Sequence, residues 1–252
     1  DPVHCQWLHR YYGLWRSKKN MVSGPVSAPG KMGAITQQSM PVEEFDRVTA
    51  MRGKPHLKIG FDKFEYGIIK RRLLEGESED SEWWRIGHPI LFPYPLRVGQ
   101  ENWFEFQYRV PVDDTHTLHL MYTVLVPDEG EVAPHQDVVP YENRPLFFED
   151  GRIKDDYVVG QDQLAWVIRG DITNRPAEAL GVTDVGIIMF RNMLDEQMKV
   201  VEDGGDPVNV HREEKEIIWL PTENAHYPGY PGTGGPFKDN QPSDIFLVRS
   251  LV

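Results

Sequence analysis

Two imidazoles and a carboxylate stand within the first nine residues, Asp1-Pro-Val-His4-Cys-Gln-Trp-Leu-His9. These are the side-chain types that hold a divalent transition metal. With a third ligand from elsewhere in the chain, they would form a two-histidine, one-carboxylate iron site with coordination positions left open. Spacing alone does not deliver that site. Five residues separate His4 from His9, and in an ideal helix such a pair points roughly 140° apart around the axis. A single π-type turn would bring both rings to one side. Asp1 precedes His4 by three residues and can approach its ring, accept the ring N–H and so fix the tautomer, as carboxylates behind metal-bound histidines do. A plainer reading stands beside this one. Nine histidines in 252 residues will place two close together by chance, on the surface or satisfied by backbone carbonyls.

A candidate for the third ligand is Asp162, inside the apolar-flanked run Val158-Val-Gly-Gln-Asp162-Gln-Leu-Ala-Trp-Val-Ile168. A carboxylate there can face a core only if it is paired or ligated. On composition alone it reads equally as an ordinary first-turn helix carboxylate, favoured by the helix dipole.

The elements that must position these residues follow from periodicity. Residues 2–9 read as a short helix, because Pro2 suits a first turn and Val3, Trp7 and Leu8 supply an apolar face. From Tyr11 to Arg52 the chain mixes Ser, Pro, Gly and Lys without a period and reads as a long excursion. Strand signals then dominate over 57–61, 64–74, 83–92, 103–110 and 118–126, an antiparallel meander separated by Gly, Pro and acidic turns. In the fourth, Phe104, Phe106, Tyr108 and Val110 alternate with Glu105, Gln107 and Arg109. The alternation predicts an apolar face against a core or pocket and a polar face outside. Residues 127–157 are rich in Pro, Asp and Glu and read as a surface loop. A helix is predicted over about 157–169, ended by Gly170. A second starts near Thr183 or Asp184, carries Ile187, Phe190, Leu194, Met198 and Val201 at helical spacing, and ends at Gly204-Gly205. The predicted class is α+β, a curved antiparallel sheet packed on a long C-terminal helix, with 205–252 an irregular tail.

Composition narrows the function. The chain is long enough for one large domain, and its net charge of -12 argues against nucleic acid or an anionic membrane as partner. A single cysteine, Cys5, allows neither an internal disulfide nor a cysteine-built zinc or iron–sulfur site. No stretch has the apolar length of a membrane span and no signal pattern opens the chain, so a cytoplasmic, reducing setting is expected. A start at Asp1 without Met suggests a fragment of a longer protein.

Asp1-x-x-His4-x-x-x-x-His9, Pro111-Val-Asp-Asp-Thr-His-Thr117, Gln161-Asp162-x-x-Ala165-Trp166 and Ile172-Thr-Asn-Arg175-Pro-Ala-Glu178-x-Leu180-Gly181-x-x-Asp184-x-Gly186-Ile-Ile-x-x-Arg191 resemble, in order, the catalytic domain of Rieske-type non-haem iron oxygenase α subunits. The branch that they resemble contains phthalate dioxygenases and aryl O-demethylases. The resemblance runs from residue 1 to about 200. Pro176 departs from it, and the tail beyond 205 has no counterpart.

The resemblance implies a helix-grip fold in which His4, His9 and Asp162 ligate a mononuclear Fe(II) that activates O2. Asp1 would bridge electrons to a Rieske [2Fe-2S] cluster across a subunit interface, in a homotrimer. It further implies an aromatic substrate, hydroxylated or O-demethylated, and a flavin/iron–sulfur reductase or ferredoxin relaying electrons from NAD(P)H. The Cys-x-His and Cys-x-x-His segments that hold the cluster are expected upstream of Asp1. In this fold the substrate lies near the iron, which makes Phe104, Phe106, Tyr108, His119 and Met121 candidate pocket residues, although aromatics on a strand equally suit simple core packing. His116 with Asp113 and Asp114 reads as turn chemistry rather than a metal cluster, and Arg191 as one half of a structural ion pair. A different class is a helix-grip small-molecule-binding module without redox activity, which has no reason to keep two histidines and a distant aspartate able to converge. A serine or cysteine hydrolase lacks its Gly-x-Ser-x-Gly elbow.

Overall fold

The computed structural model describes residues 2–9, 54–100, 103–125 and 158–214, positions within 132–153, and residues 218, 220, 222 and 248–249. The predicted excursion from Tyr11 to Arg52 lies outside the described residues. The chain divides into two compact units. One comprises Asp1–Pro2, His56–Ala133 and Glu178–Val252, and the other Val3–Pro55 and Pro134–Ala177.

The first unit is built on an antiparallel sheet in the order β6-β5-β4-β3-β2-β1-β7. Its strands are β1 (His56–Phe64), β2 (Gly67–Leu74), β3 (His88–Leu91), β4 (Pro95–Gln100), β5 (Trp103–Pro111), β6 (Thr117–Leu125) and the two-residue β7 (Val248–Arg249). The predicted meander is present, with corrections. Over 83–92, where aromatic and β-branched residues predict one strand, Glu82–Arg85 forms a short helix and only His88–Leu91 pairs with β2. Glu82 favours the first turn of that helix, and Gly87, at φ 81°, ends it. β4 escapes the sequence reading because Pro93, Pro95 and Gly99 break its apolar pattern. In the tail, Val248 and Arg249 form β7, where Val248 pairs with Ile59.

Ile68 and Ile69, adjacent on β2, are each 2% exposed, so both sheet faces are covered there. On one face Arg71 Nε donates to Asp62 at 2.5 Å, and its Nη1 donates to the carbonyls of Trp84 (2.9 Å) and Arg85 (2.5 Å) on the short helix. A buried ion pair whose remaining donors find backbone acceptors keeps its desolvation cost down. On the other face lies the long helix Val185–Glu202. Gly186 allows it to close on β1, since a Cβ there would stand 2.3 Å from the ring of the buried Phe61. Phe190 meets Phe92 with ring centroids 5.7 Å apart.

The long helix starts close to the predicted place, at Val185, but Asp184 does not cap it with its side chain: its Oδ2 accepts from the Gly181 N–H at 2.8 Å and closes the 3-10 turn Val182–Asp184 ahead of the helix. Gly204 at φ 79° follows the helix end. Its buried side differs from the prediction. Met193 is the deeply buried residue, whereas Leu194, Met198 and Val201 are 40–55% exposed. The apolar arc of this helix is wider than the strip the sheet covers. Arg191 pairs with Glu178 at 2.8 Å, the expected ion pair.

Residues 205–214, which follow the helix, contain neither helix nor strand, and this part of the chain is stitched to the sheet. Asn209 donates to the carbonyls of Tyr66 (3.0 Å) and Phe92 (2.5 Å), and Arg97 donates to Thr222 at 2.8 Å.

β5 reverses the prediction. Glu105 (4% exposed) and Gln107 (8%) are buried, while Leu118, Leu120 and Tyr122, which share the face of Phe106 and Tyr108 by register, are about half exposed. Hydrogen bonding makes the polar burial tolerable: Gln107 donates to Glu105 at 2.6 Å, and Arg109 donates to Gln107 Oε1 at 2.9 Å.

The second unit holds a helix at His4–Trp7, another at Val158–Val167, a 3-10 turn at Arg175–Ala177, and a bridge between Phe147 and Ile153. The described positions of the predicted surface loop at 132–141 are exposed.

Candidate metal centre

In the second unit the opening helix is only one turn long. The Leu8 N–H closes on the His4 carbonyl at 2.7 Å, and the chain bends away at His9. The five-residue spacing is therefore not resolved by a π-type turn. His4 projects from the first residue of the helix and His9 from beyond its last, so the helical period no longer fixes the angle between them. Their rings meet edge to face at 5.2 Å between centroids. Trp7, predicted to supply an apolar face, is 70% exposed, because one turn cannot present a full stripe.

The helix Val158–Val167 ends at Gly170, whose φ of 78° fits the expected left-handed cap. Asp162 is its fifth residue and lies beyond the first turn, so the helix dipole does not explain it. Its Oδ1 lies 3.2 Å from His9 Nε2 and 4.0 Å from His4 Nε2. One donor atom from each of the three residues lies within 4.8 Å of the others, the convergent His, Cys, Asp or Glu set found among the described residues.

A first-row divalent ion with bonds of about 2.1 Å needs neighbouring donor atoms about 3.0–3.4 Å apart. The His9–Asp162 edge meets this, and the His4–Asp162 edge needs to close by under an ångström. Two neutral imidazoles and one carboxylate suit Fe(II) and leave positions open. His9 is buried, Asp162 keeps a quarter of its side chain exposed, and His4 is 43% exposed. The set is therefore anchored on the inside and reachable from solvent at His4. A further group touches it: Gln161 Oε1 lies 2.8 Å from His9 Nδ1. The sequence offers Gln161 only as the first residue of the motif Gln161-Asp162-x-x-Ala165-Trp166, with no role of its own.

Asp1, the candidate electron bridge, and the side chain of Cys5 lie outside the described residues. The five candidate pocket residues belong to the first unit, and the register divides them. Phe106 and Tyr108 stand opposite Tyr122 and Leu120, and the strand position of Phe104 shares their face. His119 and Met121 stand opposite Arg109 and Gln107 on the other face. A single wall cannot present all five.

The second cluster singled out in the sequence is a turn. Asp113 Oδ1 accepts the backbone N–H groups of Thr115 and His116, both at 2.8 Å, and its carboxylate meets His116 Nδ1 at 2.9 Å. The Thr115 N–H, followed by the His116 ring, lowers the Asp113 pKa to about 2.

No family model matches the chain. Over 226 residues it is 29% identical to the 5,5'-dehydrodivanillate O-demethylase oxygenase subunit of Sphingobium sp. (strain NBRC 103272 / SYK-6). The match takes in 88% of this chain and 45% of that relative, so the chain spans under half the length of the curated protein it matches.

Proposed function

From a chain related over most of its length to the oxygenase subunit of an aryl O-demethylase, we propose an oxygenase component that acts on an aromatic substrate through a mononuclear Fe(II). His4, His9 and Asp162 would hold the metal. The observation that carries this reading is their convergence, two residues from the start of the chain meeting one more than 150 positions away. On this reading residues 1–252 form the iron-bearing catalytic region, of helix-grip type.

Iron held by these residues would supply the redox chemistry that dioxygen activation needs. The protein's own groups do the rest. The buried imidazole of His9 and the carboxylate of Asp162 fix two ligand positions, and the exposed side of His4 leaves an approach. For a methyl ether the overall change is ArOCH3 + O2 + two electrons + two protons giving ArOH, formaldehyde and water. Hydroxylation of the ring or of another substituent draws on the same supply. A flavin/iron–sulfur reductase or ferredoxin would supply the electrons from NAD(P)H by way of a Rieske [2Fe-2S] cluster, and Asp1 would serve as the electron bridge in a homotrimer.

The test is iron content after anaerobic reconstitution of the full-length protein. One mononuclear Fe(II) per chain is expected, lost in Asp162→Ala while circular dichroism stays unchanged. Absence of stoichiometric Fe(II), or equal retention by Asp162→Ala, overturns the reading.

A further inference from the structure

Two neighbouring residues of one helix take hold of the same imidazole. Gln161 Oε1 lies 2.8 Å from His9 Nδ1, and Asp162 Oδ1 lies 3.2 Å from His9 Nε2. The two ring nitrogens are therefore addressed from opposite sides by consecutive positions in Val158–Val167.

A neutral imidazole carries one proton, and which nitrogen holds it decides whether the ring can ligate. A side-chain carbonyl oxygen can only accept. At Nδ1 it therefore selects the tautomer with the proton on Nδ1 and leaves the Nε2 lone pair aimed toward Asp162. The opposite tautomer places N–H on Nε2, where it donates to Asp162 and cannot bind a metal. His9 is 2% exposed, so water cannot readily replace a lost acceptor at Nδ1.

We propose that Gln161 is a positioning residue that holds His9 in its metal-binding tautomer and orientation. The proposal rests on the iron reading for its purpose, but the tautomer can be measured without it. The carboxylate of Asp162, 3.2 Å from Nε2, by itself draws the proton to Nε2 and so favours the form that cannot ligate. The Gln161 acceptor at Nδ1 opposes that pull. It touches neither metal nor substrate, and its effect passes through one ring.

The experiment uses the full-length protein with ¹⁵N-labelled histidine and reads long-range ¹⁵N–¹H correlations of His9 in the metal-free state with the ring neutral. Proton on Nδ1 is expected in the wild type. In Gln161→Met, which keeps length but removes the acceptor, the proton should move toward Nε2. Affinity for Fe(II), or for Zn(II) as a diamagnetic probe, should fall roughly 10- to 100-fold, the usual effect of removing a group behind a metal-bound histidine. Gln161→Glu restores an acceptor and should return both readouts most of the way. Gln161→Asn keeps the amide on a stem too short to reach and should resemble Gln161→Met. A wild-type His9 protonated on Nε2, or a Gln161→Met protein with wild-type tautomer and affinity, overturns the proposal. If the wild type binds neither metal, the iron reading fails, and the tautomer signal of wild type against Gln161→Met still decides the role of Gln161. If Gln161→Met does not fold, the wild-type tautomer and Gln161→Glu decide it.

Discussion

At the scale of single residues, the difference between a cluster that binds and a cluster that merely turns the chain is visible in who accepts from whom. His116 and Asp113 have the residue types of a metal site, yet Asp113 spends its Oδ1 on the backbone N–H groups of Thr115 and His116. Because these contacts favour the charged carboxylate, its folded pKa lies near 2, below the ordinary value of about 3.9. The sign follows: the stabilisation is complete above the ordinary value and is lost as pH falls from about 4 through about 2. Amide exchange at Thr115 and His116 should accelerate over that window in the wild type and show no such step in Asp113→Asn. A step at neutral pH instead would reject the assignment. His4, His9 and Asp162 were legible as residue types, and their identity as a set came from the resemblance. What sequence could not supply was the angle between His4 and His9. It depends on where a one-turn helix stops, a matter of a single hydrogen bond from Leu8 to His4.

At the scale of elements, periodicity found the strands and helices better than it found their faces. The long helix was predicted from its apolar positions, yet the sheet covers the side with Met193, and Leu194, Met198 and Val201 remain largely exposed. Its seating depends on Gly186. Replacing Gly by Ala in a helix ordinarily gains up to about 1 kcal/mol of propensity. Here the added methyl would stand 2.3 Å from the Phe61 ring, and overpacking of that kind costs about 1–3 kcal/mol. Gly186→Ala should therefore destabilise the protein by on the order of 1–2 kcal/mol in urea titration, with partial recovery in the double variant with Phe61→Leu. A gain in stability would mean that the helix shifts freely. β5 taught a related lesson. Alternation identifies two faces but not which one is inside, and Glu105, Gln107 and Arg109 are tolerated inward because they hydrogen-bond to one another.

At the scale of the whole molecule, the chain is a strongly acidic polypeptide, with no helix among the described residues long and apolar enough to cross a membrane. The proposed electron route belongs to this scale, because it joins subunits rather than neighbours. In the assembled enzyme Asp1→Asn should keep its iron but lose turnover by about tenfold or more, where each tenfold corresponds to about 1.36 kcal/mol of barrier. Unchanged turnover would remove Asp1 from the route. One further feature acts before any chemistry begins. Among the described residues β6 ends the sheet, and its nine residues contain no acidic, lysine, arginine or proline side chain. Leu118, Leu120 and Tyr122 stand about half exposed along it. An uncharged edge strand with an apolar ladder is a ready template for a like strand from another chain. Its first cost falls on solubility: in a crowded cell, newly made copies would meet edge to edge and precipitate unless that margin were shielded as they fold.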